Sequence, residues 1–138
     1  MEKEITGLLE GAPDLGDWEA ECHAFGASCA LTLRADRCAV IVTGDRRAEM
    51  LNGLVTNQVT DLEDVGRHAL LLNRKGRVLT DLRVLPRTTD LLLDLPRAGS
   101  ENLLATFQKY LPPIFAGFDD ASESLGQVGL YGPQATNV

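Results

Sequence analysis

The sequence predicts an α+β domain in which helices pack on an antiparallel sheet. Three observations predict it. Helical stretches are interspersed with hairpins, in the order α-β-β-α-β-β-β-α-β-β. The β-rich segments are short, apolar and bounded by Gly, Pro, Asn or Asp. The chain has 138 residues, 44% of them hydrophobic, which suits one domain, residues 1–138, with its own core. Aromatics make up only 5%, so Leu, Val and Ala must fill most of that core.

Each element has a local reason. Residues 1–15 read as a loosely held arm, with Gly11, Pro13 and Gly16 as breakers. Asp17 can cap a helix over 18–26 that stops at Gly26. Residues 28–33 and 37–43 (SCALTL, RCAVIVT) read as strands. Asp45 is the expected N-cap of the next helix, whose apolar face carries Ala48, Leu51, Leu54 and Val55 and which is expected to end near Thr56-Asn57. A polar, acidic loop over 57–65 follows. Residues 66–85, GRHALLLNRKGRVLTDLRVL, then read as two apolar strands joined by an Asn-Arg-Lys-Gly turn. A strand over 89–95 ends at Pro96, and Ser100 can cap a helix over 101–111 that Pro112 and Pro113 terminate. Residues 114–118 and 125–131 complete the pattern as short strands.

Composition excludes several classes of function. The net charge is −7 and the pI about 4.7, which argues against general nucleic-acid binding. No apolar run reaches membrane-spanning length, and the acidic start lacks the apolar segment of a secretion signal. A cytoplasmic protein is the expectation. Three cysteines, Cys22, Cys29 and Cys38, show no metal-site spacing and read as free, mostly buried thiols.

The hairpin carries the candidate chemistry. Alternation puts Arg77, Leu79, Asp81, Arg83 and Leu85 on one face, and the greasier Val78, Thr80, Leu82 and Val84 on the face that meets the helices. A two- or four-residue loop pairs Leu72 with Arg77 and hence His68 with Asp81, an acid–base pair across the strands. A three-residue loop would shift that register by one. Arg74, Lys75, Arg77 and Arg83 form a basic cluster in an acidic chain, which suits an anionic small molecule. The alternative is a solvated hairpin tip with one structural salt bridge.

The segments LNGLVTNQVTDL, GRHALLLNRKGRVLTDLRVL and GLYGPQA resemble, in that order, the folate-binding domain of the glycine-cleavage T-protein (aminomethyltransferase) superfamily. The resemblance runs from about Cys22 to the C-terminus. LLLDLPRAGSENLLATFQKYLPPIFAGFDDAS looks most like its YgfZ-type branch, which is linked to iron–sulfur enzyme maintenance and, in bacteria, to tRNA modification. The resemblance implies tetrahydrofolate as cofactor and no metal. It implies Asp81 as the acid beside the reactive nitrogens, with an electrostatic and positional role. It implies folate contacts at His68, Asn73, Arg83, Leu85 and Leu95. His68 and Leu85 fall where T-proteins carry pocket tyrosines, and Leu95 where they carry an asparagine. Thr80 and Gln58 replace acids. Residues 16–138 match the first half of the family's length, since GLYGPQA marks the start of the second half. A homodimer would cover the apolar sheet surface that the second half normally covers. The functions implied are folate binding of the YgfZ type, aminomethyl transfer in glycine cleavage, or a truncated interaction module without catalysis.

Overall fold

A computed structural model describes residues 17–137. The expected arm over 1–15 lies outside the described residues. The elements are α1 (Trp18–Ala27), β1 (Ala30–Leu33), β2 (Arg37–Thr43), α2 (Arg47–Asn52), β3 (Arg67–Leu72), β4 (Val78–Pro86), β5 (Leu91–Pro96), α3 (Ser100–Tyr110), β6 (Gly117–Asp120) and β7 (Val128–Tyr131). Single 3-10 turns lie at Arg97–Gly99 and Ala135–Asn137. The fold is α+β with antiparallel pairing throughout, and the order of helices and strands matches the one read from the sequence.

The strands divide between two sheets in two compact units. One unit runs from Asp36 to Leu125, and the other joins the described residues up to Ala35 with those from Gly126 onward. In the larger unit a five-stranded sheet has the order β3-β4-β5-β2-β6. Its inner face presents Val40, Val42, Leu71, Leu82, Val84 and Leu93, all fully buried. Leu103 and Phe107 of α3 lie four residues apart, on one side of the helix, and complete this core. Phe107 meets Phe118 of β6 edge-on, with ring centroids 5.6 Å apart. Gly99 lies so close to Thr80 that any Cβ there would overlap the threonine side chain.

The smaller unit pairs β1 with β7, so that Leu31 faces Leu130 and Leu33 faces Val128. The Asp17 side chain caps α1 by accepting from the Ala20 N–H at 2.9 Å, as its position before the helix suggests. Phe25 stacks on Tyr131 with centroids 5.9 Å apart.

Two helix starts and one helix end differ from expectation: α2 stops at Asn52 rather than near Thr56-Asn57, because Val55 leaves the helix to bridge Leu71 of β3. Arg46, not Asp45, precedes α2, and no side chain caps that helix. Gly44 has φ +103° and accepts from the Arg47 backbone and side chain, which delays the first turn. Ser100 is the first residue of α3 rather than its cap, and its hydroxyl donates to the Arg97 carbonyl of the preceding 3-10 turn. Of the three cysteines Cys38 is buried, Cys22 exposed and Cys29 intermediate.

Candidate functional site

The site is built on the β3–β4 hairpin, whose register the turn sets. Gly76 donates to the Asn73 carbonyl, and the Asn73 N–H donates to the Arg77 carbonyl, both at 2.9 Å. Gly76 has φ +75°, the left-handed conformation that glycine adopts without steric cost. This is a three-residue loop closed by a glycine bulge. The Asn73 side chain reinforces it, with Oδ1 accepting from Lys75 N and Arg77 N at 2.9 and 3.0 Å. A second irregularity follows: Leu72 pairs with Val78 but Leu71 with Thr80, leaving Leu79 as an extra residue.

These irregularities correct the expected pairing. His68 stands opposite Arg83, and Asp81 opposite Leu70. Each shift of one residue flips the facing side chains, and two shifts restore the original face. His68 and Asp81 therefore share a face as diagonal neighbours, with Nε2 and Oδ2 3.4 Å apart. The bulge also exchanges two residues near the turn. Val78, expected inside, is exposed, whereas Leu79 packs against the core.

The outer face of the sheet is ordered in rows. The His68–Arg83 row continues to Asp94 on β5 and Ala39 on β2. The next row holds Leu85, Leu92 and Ile41, all partly exposed. Gly66 leaves space for Leu85, whose side chain fills the position where a Cβ would stand. The Asp94 carboxylate accepts from Arg37 Nε at 2.8 Å, and both side chains are largely shielded. The result is a polar group of His68, Asp81 and Arg83 flanked by an apolar strip. His68 and Asp81 remain 59% and 43% exposed at the side chain, so both are accessible to a ligand.

The LVTN segment fixes the position of β3. Val55 bridges to Leu71, and Thr56 exchanges hydrogen bonds with Leu70: its N–H donates to the Leu70 carbonyl at 3.0 Å and its Oγ1 accepts from Leu70 N at 2.9 Å. Asn57 Nδ2 donates to the His68 carbonyl at 2.9 Å. Arg67 Nη1 donates to the Gln58 carbonyl and to Asp61 Oδ1, both at 2.7 Å. Thr56 and Asn57 thus hold the edge strand that carries His68, a role their order in the motif did not reveal.

Asp81, His68, Arg83 and Leu85 therefore gather on one face. Asn73 lies at the turn with its side-chain oxygen committed to the backbone. Leu95 does not join them. It is fully buried on the inner face, paired with Cys38, and its expected folate contact is replaced by a core role. The phase of β5 explains this: Leu91, Leu93 and Leu95 point inward, and the polar Asp94 marks the outer side. Thr80 also points inward, beneath Gly99. Arg37, Asp94, Leu92 and Ile41 share the outer face but were not singled out from the sequence. The alternation around Asp94 was the available signal.

The larger unit defines a class of fold: a five-stranded antiparallel sheet whose inner face packs with Leu51, Leu103 and Phe107 of the two helices and whose outer face carries Asp81 on the β3–β4 hairpin. The chain has the fold of the glycine cleavage system aminomethyltransferase T from Bartonella henselae. The TM-score is 0.72 at 19% identity, over 90% of this chain and 34% of that one. In sequence it is similar to an aminomethyltransferase of Ralstonia pickettii (strain 12J), 26% identical over 143 aligned positions. That alignment covers 88% of this chain and 38% of the enzyme, so the chain spans little more than a third of the relatives it matches. No family model matches the chain.

Proposed function

We propose that this chain provides part of a tetrahydrofolate-binding protein, with the pterin end of the cofactor held on the outer sheet face around Asp81. The observation that carries the reading is the His68–Asp81–Arg83 group beside the Leu85–Leu92–Ile41 strip. A flat heterocycle with polar edges needs such a surface: apolar area for its plane and a few placed polar groups for its edge. The residues fit that ligand. Among the described residues the Asp81 carboxylate has no partner besides His68, so its second oxygen is available to accept an N–H. Among the described residues Arg83 forms no ion pair, and it offers its guanidinium fork to a carboxylate or ring oxygen.

Tetrahydrofolate, when bound, supplies the nitrogens that take up a one-carbon unit. Asp81 acts by holding a ring N–H in place and by favouring positive charge near it. His68, fixed through its carbonyl by Asn57, positions the carboxylate. On this face Leu85 stands where a polar group would complete pterin recognition. That loss weighs against aminomethyl transfer and leaves folate binding of the YgfZ type, in iron–sulfur enzyme maintenance or tRNA modification, as the first reading. Aminomethyl transfer is the second reading, favoured by the similarity to the Ralstonia enzyme and by the retained acid.

Calorimetric titration of the chain with 5-formyl-tetrahydrofolate tests the reading. Saturable binding that Asp81→Asn loses supports it. No binding, or equal binding by the variant, contradicts it. Folate-dependent one-carbon turnover by the wild type would favour the second reading over the first.

A further inference from the structure

The strongest feature outside that face is a groove of about 570 Å³ between the β3–β4 turn and α3. Arg74, Lys75 and Arg77 line one side and Lys109 the other. All four are exposed, and among the described residues none is engaged in an ion pair. No acidic residue lines the groove, although the chain as a whole carries a charge of −7. Four unneutralised cations around one depression of such a chain form a local positive potential that attracts an anion.

We propose that this groove binds a phosphorylated small molecule of nucleotide size. Its volume lies in the range of small-molecule sites, about 300–1,000 Å³. Leu72, Leu79, Ala105 and Tyr110 give it an apolar lining for the uncharged part of the ligand. Arg74 and Arg77 supply guanidinium forks that bind phosphate oxygens in pairs, and Lys75 and Lys109 supply point charges. Lys109 Nζ lies 5.2 Å from the centre of the Tyr110 ring, which places a cation beside an aromatic surface. The turn is pre-organised. Asn73 Oδ1 binds the N–H groups of Lys75 and Arg77, so little ordering is required when an anion arrives. The net negative charge and the restricted volume disfavour an extended nucleic acid. Apart from Asn73 the groove uses none of the residues assigned to folate, so its failure and the failure of the folate reading are separate results.

Backbone amide NMR on the whole chain, with ADP, pyrophosphate and adenosine as separate probes, tests the proposal. ADP is expected to shift amides of 73–77 and 105–110. Pyrophosphate should shift the turn alone, more weakly, and adenosine neither segment at the same concentration. Arg74→Gln with Arg77→Gln should weaken ADP binding at least tenfold while amides remote from the groove keep their positions. Lys109→Gln should weaken it severalfold. Unperturbed groove amides at millimolar ADP would overturn the proposal, as would ADP shifts that these substitutions leave unchanged. Tighter binding of a tetraglutamate peptide or of a single-stranded RNA than of ADP would also overturn it, assigning the groove to a macromolecular partner.

Discussion

Asp81 is a carboxylate on a strand whose neighbours are mostly apolar. A carboxylate inside an apolar strand must be either a satisfied structural group or an exposed functional one. Here it is partly exposed, and among the described residues its carboxylate meets one side chain, the His68 imidazole, at 3.4 Å. Removing its charge should therefore cost little: Asp81→Asn is expected to change stability by no more than about 0.5 kcal/mol in a urea titration, the range of surface changes. A loss of several kcal/mol would identify it as a structural partner instead. Cys38 is the opposite case. Burial pushes its thiol above the ordinary value of 9.0, with Ser122 partly opposing. The folded state thus favours the protonated thiol. Its contribution is complete below the unfolded pKa and is lost as pH rises through the folded one, so Cys38→Ala should reduce the loss of stability above about pH 9. Alkylation at pH 8 should modify exposed Cys22 rapidly and Cys38 only on unfolding.

At the scale of elements, alternation was readable and register was not. The split of β4 into an inner set (Thr80, Leu82, Val84) and an outer set (Asp81, Arg83, Leu85) follows from period-two patterning. The pairing partners depend on the turn, and NRKG is compatible with loops of two, three or four residues. The bulge at Leu79 leaves no mark in an apolar run. Leu95 was misplaced for a related reason, because a strand made almost wholly of leucines shows its phase only at Asp94. The turn itself makes a testable claim. Gly76 adopts a left-handed conformation, so Gly76→Ala should cost about 1 kcal/mol by chemical denaturation. A neutral result would mean that the turn is not the bulged type. The bonds from Thr56 and Asn57 to β3 were also hidden, since they join residues across a loop of irregular shape.

For the molecule as a whole, the order of elements was legible, but their division between two sheets was not. Pairing of β1 with β7 joins residues about 100 positions apart, and no local pattern specifies such a contact. The larger unit holds the buried cluster around Phe107. Phe107→Ala should destabilise that unit by about 3–5 kcal/mol, read as lost hydrogen-exchange protection in β2, β4 and β5. The smaller unit has a different character. Leu31, Leu33, Val128 and Leu130 are all exposed on paired strands, and α1 buries none of its residues.

The outer sheet face is the proposed folate site. The most direct measurement is the amide chemical-shift map of the chain titrated with 5-formyl-tetrahydrofolate. Shifts are expected to concentrate at His68, Asp81, Arg83 and Leu85, with the inner-face residues Leu93 and Leu95 unmoved. Shifts confined to other surfaces, or none at saturating ligand, would contradict it.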